Sequence, residues 1–206
     1  MALDTVAVCG LLGVLIVVVG WLVGRIYIPE WFNQKNIIKV KSKVDGREWN
    51  VQGDLPCPEC AADSLATLNQ DIEKLIEHLK RKYPNDPRTH RLITRYDPNR
   101  IYEGRPSPGG LGDTSYTLNK GQRYVFCTRS GRDTGKMIDE NTMKYVHLGH
   151  ELGHSISSSY GHNKEFNENF LWLLTEAASI GLYNPVDYRR YPKEFCGIMI
   201  NQSILH

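Results

Sequence analysis

The chain has 206 residues, of which 41% are hydrophobic and 23% charged, and this balance excludes a disordered, collagen-like or low-complexity protein. A formal net charge of +2 is too mild to announce a nucleic-acid partner, and none is expected. Five cysteines, an odd number, do not fit a fully paired secreted framework.

Thr5 to Gly24 carry no charged side chain and are rich in Val, Leu and Ile. Twenty such residues in a helix span about 30 Å, the thickness of a bilayer's hydrocarbon core. Trp21, Tyr27, Trp31 and Phe32 gather at the C-terminal end as interfacial aromatics do. The reading is a transmembrane helix over 5–24, a juxtamembrane linker over 25–36 and one domain over 37–206. A cleaved signal peptide fits less well, because Asp4 is the only charge before the apolar run and no small-x-small site follows it. Arg25, Lys35, Lys39, Lys41 and Lys43 follow the run, which predicts a single-pass protein with its C-terminal domain in the cytosol. A lipid membrane is then a partner through residues 5–24, and the cysteines are expected to be reduced.

IIKVKSKV and REWNVQ flank Asp45-Gly46, the signature of a β-hairpin, with strands near 37–44 and 47–52. Leu65, Leu68, Ile72, Leu75, Ile76 and Leu79 recur at helical spacing and predict an amphipathic helix over 62–82, ended by Pro84. Residues 92–96 read as a short strand, 97–114 as a long loop, and 116–118 and 124–127 as two further strands. Two helices follow, over 140–157 and 164–182. Helices and strands look partly segregated, which predicts an α+β domain with a small β-sheet.

The chemistry concentrates in NTMKYVHLGHELGHSIS. His150 and His154 lie one turn apart, so both imidazoles can face one cation, and Glu151 stands beside them as a carboxylate able to take a proton from water. Zn2+ suits such ligands and leaves a position open. His162, after a turn ending in Gly161, is the preferred third ligand; Glu176 is the alternative, with Glu165 and Glu168 behind it. His147 is either a neighbour of the metal shell or a plain polar helix residue. Tyr160, Tyr183 and Tyr191 are candidate oxyanion donors. Segment 123–128 is the candidate strand edge for aligning an extended peptide.

HELGH, then GHNKEF, then an apolar helix and EAASIGLY, resembles the zincin-like metallopeptidases of the WLM and SprT-like groups. Phe166 matches the aromatic that follows their third histidine, although the interval from His154 to His162 is longer than in many members. VDGREWNV, the helix AADSLATLNQDIEKLIEHLKRKYP, NKGQRYVFCTR and the FCGIMI tail widen the likeness to inferred metallopeptidases of large DNA viruses. The resemblance implies a zincin-like domain, zinc-dependent hydrolysis of a peptide or protein substrate, and Glu151 as general base. The competing function is a non-catalytic, membrane-anchored assembly protein of a virus particle, with capsid or virion proteins as partners and a viral membrane as location.

Cys57-Pro58-Glu59-Cys60 is a CxxC. It reads as half of a structural zinc site, as a redox pair, or as two loop thiols. Cys9 reads as a small apolar filler.

Overall fold

The computed structural model describes residues 36–107 and 114–205, which belong to one compact unit, Asn36–His206. The sheet begins with the expected hairpin, β1 (Ile37–Lys41) and β2 (Glu48–Gln52), paired antiparallel from Ile37↔Gln52 to Lys41↔Glu48. Trp49 and Val51 point inward and are buried, as a period of two requires.

The long helix α1 spans Pro58–Lys82 and starts earlier than its apolar spacing suggests. Pro58 takes the first helical position, where its missing N–H costs nothing. Leu65, Leu68, Ile72, Leu75 and Leu79 are all buried against the sheet and the later helices. Each such side chain contributes about 1.5–3 kcal/mol on leaving water.

Of residues 92–96, expected as a strand, 92–95 belong to a second helix, α2 (Pro87–Arg95), and Tyr96 is its C-cap. Asp86 caps it by accepting from the Arg88 amide, and Pro87 opens it. These two local signals override the β-branched Ile93 and Thr94.

A single turn of 3₁₀ helix, Pro98–Arg100, leads into β3 (Ile101–Gly104), a strand inside what reads as loop. β3 runs parallel to β2, so α1 and α2 form a helical crossover between them. β4 (Tyr116–Leu118) and β5 (Arg123–Cys127) complete the order β1-β2-β3-β5-β4. β5 is parallel to β3 and antiparallel to β4, so the edge strands are β1 and β4 and not the expected 123–128 segment. Two parallel pairs with a helical crossover make this a mixed α/β arrangement rather than the segregated α+β expected.

The expected helix over 140–157 is three pieces in a row: α3 (Glu140–Lys144), a π-helical stretch (Tyr145–Glu151) and α4 (Leu152–Ile156). α5 spans Lys164–Ser179. The tail folds into a small hairpin, β6 (Lys193–Phe195) and β7 (Ile198–Ile200).

The expected transmembrane segment over 5–24 lies outside the described residues. Among the described residues, no helix is long and apolar enough to cross a membrane. α1 has sufficient length, with 25 residues, but Glu73, Lys74, Glu77 and Lys80 ride on its outer face. A domain set behind a membrane span, and a single-pass membrane location with a cytosolic domain, are therefore withdrawn as descriptions of this fold. The expected reduced cysteines are also corrected, since Cys57–Cys60 and Cys127–Cys196 are disulfide-bonded.

The buried polar centre of the sheet was not foreseen. Glu103 on β3 and Arg129 just after β5 are fully buried, and Arg129 Nε donates to Glu103 Oε1 at 2.6 Å. Thr128 Oγ1 donates to the same oxygen at 2.7 Å, and the Gln52 amide donates to Oε2 at 2.7 Å. Arg129 also donates to the carbonyls of Pro56 and Cys57, tying the start of α1 to the sheet.

Candidate metal centre

The site grows from the way the π-helical stretch meets α5. Gly149 faces Phe170 and Leu174 so closely that a Cβ there would lie 2.3 Å from the Phe170 ring and 2.8 Å from Leu174 Cγ. No side chain fits, so α5 can lie directly on the backbone beside His150. Gly149→Ala is expected to cost about 1–3 kcal/mol through overpacking and to weaken metal binding by shifting His150. Denaturant titration and metal titration of the variant read the two effects separately.

Once that contact is made, the rings converge. His154 Nε2 lies 3.3 Å from His150 Nε2, and His162 Nε2 lies 3.1 Å from His150 Nε2. The ligand atoms of all three residues fall within 4.8 Å of one another. Two nitrogens each about 2.05 Å from a tetrahedral zinc are separated by about 3.3 Å. The donor set therefore fits a zinc ion.

Phe166, itself buried, holds the rings in place. It stacks on His154 at 4.4 Å and meets His150 and His162 edge-on at 5.0 and 4.7 Å. Desolvation, followed by the charge His154 would carry, pushes His150 down to about 3. Desolvation and then His162 push His154 down to about 4. Both rings are thus neutral near pH 7, as metal ligation requires. His150 and His154 are half-buried and His162 is exposed, so the cluster opens to solvent on one side.

The loop that delivers His162 is pinned at several points. Gly161 has φ +83, a left-handed conformation that reverses the chain. Glu165 accepts from the amides of Ser158 and Ser159 at 2.7 and 3.0 Å and from their hydroxyls at 2.7 and 2.5 Å. These bonds, the Ser159 hydroxyl foremost, pull its carboxyl down to about 2. Asn163 caps α5 by accepting from the Phe166 amide at 3.1 Å. On the other side, Arg91 and Arg95 of α2 donate to the carbonyls of Ile156, Ser155 and Ser157, closing the end of α4.

Glu151 is buried beside the cluster. Thr117 Oγ1, on the edge strand β4, donates to Glu151 Oε2 at 2.9 Å and lies 3.0 Å from its carbonyl oxygen. Glu151 and His150 line one cavity of about 290 Å³, whose other walls include Tyr145, Phe170, Phe195, Ile198 and Met199.

The remaining candidates fall elsewhere. Glu176, the alternative third ligand, takes hydrogen bonds from His78, Lys82 and Tyr83 at 2.7, 2.9 and 2.7 Å. Glu168 is exposed and pairs with Lys164 at 3.7 Å. His147 is buried against Phe126 and Phe195, with burial and then the charge of His150 lowering it to about 3. Tyr183 packs on Tyr145 in the core, while Tyr160 and Tyr191 are exposed. None of these three tyrosines lines the cavity.

The class defined so far is a mixed α/β unit with a three-histidine pocket and an adjoining carboxylate. Protein R325 of Acanthamoeba polyphaga mimivirus, described as uncharacterized, is 32% identical over 171 residues, which is 81% of this chain and 83% of R325. The chain belongs to the family that R325 represents. Protein 136R of Invertebrate iridescent virus 6, also described as uncharacterized, is 31% identical over 85 residues, 41% of this chain and 46% of 136R. No protein-family model matches the chain, and no solved structure does. The expected zincin-like fold thus has no solved counterpart here, and mixed α/β is the description that stands.

Proposed function

We propose that this protein is a zinc-dependent metallopeptidase that hydrolyses peptide bonds. The observation that carries the reading is the convergence of His150, His154 and His162 on one point, with Glu151 lining the same cavity as His150. His150, His154 and His162 would hold the ion, and the exposure of His162 leaves the cluster open to solvent, as a catalytic rather than a structural site requires. When bound, zinc supplies Lewis acidity that makes water a nucleophile near neutral pH and polarises a carbonyl.

Glu151 accepts the proton of the attacking water and returns it to the departing amine. Thr117 holds one carboxylate oxygen, which fixes the direction of the other. β4, at the edge of the sheet and attached to Glu151 through Thr117, is the surface along which an extended substrate adds its own strand. The apolar cavity wall formed by Phe170, Phe195, Ile198 and Met199 takes a bulky hydrophobic side chain next to the scissile bond.

A mixed peptide library, incubated with the purified zinc-loaded chain, tests this. Cleavage that stops with a chelator and returns with zinc is expected, with Leu, Phe or Met beside the cut. Absence of any zinc-dependent cleavage contradicts the proposal. Met199 stands half-exposed at the cavity wall. Met199→Asp is expected to lower kcat/KM about tenfold for peptides with a large apolar residue there and to leave alanine-containing peptides nearly unchanged.

A further inference from the structure

The two disulfides have opposite surroundings. Cys127 and Cys196 are fully buried, and their bond ties β5 to the β6–β7 turn across 69 positions of sequence. Cys57 is exposed and Cys60 half-buried, three positions apart. Cys57 is the N-cap of the 25-residue helix α1, held in the left-handed region at φ 53, and Cys60 lies in its first turn. The loop that carries Cys57 is anchored by Arg129, which grips the carbonyls of Pro56 and Cys57 and is itself fixed by Glu103. One cysteine of this closely spaced pair thus stands exposed on an anchored loop, while its partner is half-buried in the first turn of the helix.

We propose that Cys57–Cys60 is a thiol–disulfide exchange site, separate from the histidine cluster, with Cys57 as the sulfur that reacts with external thiols and disulfides. In the reductive direction an external thiolate attacks Cys57 Sγ. The Cys57–Cys60 bond breaks, and Cys60 leaves as a thiolate. That charge forms in the first turn of α1, where the helix dipole favours an anion. Glu59, the acid in the same turn, opposes it and makes the disulfide harder to reduce. A second external thiolate then attacks the outer sulfur of the mixed disulfide, and Cys57 departs as a thiolate. Two thiols have become one disulfide, two electrons have passed to the pair, and the two protons that the thiols released end on Cys57 and Cys60. In the reverse direction Cys57 attacks a substrate disulfide and Cys60 resolves the mixed intermediate. The partner is a small thiol or the dithiol of another protein.

Glutathione is the probe. The full chain is equilibrated at neutral pH with rising ratios of reduced to oxidised glutathione, quenched in acid, alkylated and digested, and each cysteine pair is read by mass. Cys57–Cys60 is expected to open at a ratio at least about tenfold lower than Cys127–Cys196, with the circular dichroism of the fold unchanged. In Cys60→Ser the glutathione adduct is expected on Cys57; in Cys57→Ser the adduct on Cys60 is expected to form at least about tenfold more slowly. The proposal is overturned if the two pairs open only together, if Cys57–Cys60 opens only with loss of the fold, or if Cys60 reacts as fast as Cys57. None of these outcomes depends on zinc or on peptide cleavage.

Discussion

Glu151→Gln is expected to lower peptide hydrolysis about 10²–10⁴-fold while leaving the metal content and the fold unchanged. Glutamine keeps the shape of the side chain and can still accept from Thr117, whose hydroxyl lies 2.9 Å from Oε2. It cannot take a proton from water at neutral pH. The loss should therefore appear in kcat, with KM little changed, because the residue acts on the reacting water and not on substrate binding. Steady-state cleavage of a library-derived peptide, beside zinc analysis of the same preparation, checks both halves. Turnover near the native rate in this variant would remove the general-base role.

Glu103→Gln is expected to be among the most destabilising single changes, at about 3–5 kcal/mol. The carboxylate has no exposed surface and faces Arg129, also without exposure, at 2.6 Å. Glutamine leaves the guanidinium buried and uncompensated. It also replaces an acceptor oxygen that serves Thr128, Arg129 or Gln52 by a donor. For a domain whose total stability is about 5–15 kcal/mol, much of the folded margin would go. Equilibrium unfolding in urea measures the effect, and a loss under about 1 kcal/mol would contradict the account of this network. A double change, Glu103→Leu with Arg129→Met, is expected to recover only part of the loss, because it removes both charges together but leaves the Gln52 amide, the Thr128 hydroxyl and the Pro56 carbonyl without these partners.

The site was far more legible in the sequence than the sheet. HELGH states its geometry through a four-residue interval, and Gly161 before His162 marks the reversal that brings a third ring back. The β1–β2 hairpin was legible from Asp45-Gly46, and the inner face of α1 from its leucines. What stayed hidden depends on contacts between distant segments. The pairing of Glu103 with Arg129 and of Thr117 with Glu151 has no local signature. β3 is four residues long and sits among prolines and glycines, so its parallel pairing with β2 and β5 leaves no periodic trace.

Some missed elements did carry a signal. Asp86-Pro87 is a cap followed by a first-turn proline, and it outweighs the β-branched residues of LITRY. Gly149 and Gly153, four apart and each just before a histidine of the cluster, mark the face on which α5 lies. The cysteines were misjudged because their expected reduced state was inferred from a membrane orientation that the described structure does not support. Cys57 and Cys60 are adjacent in a turn, and Cys127 and Cys196 are joined only after β5 and the tail hairpin come together.

The central claim is that three imidazoles form one zinc site. Element-specific analysis of the purified chain, after dialysis against metal-free buffer, tests it most directly. One zinc per chain is the expected content, falling to near zero in His154→Ala and in His162→Ala and staying at one in Glu151→Gln and Glu176→Gln. A native chain that holds no zinc after loading, or that holds as much after loss of His154 and His162, would contradict the account.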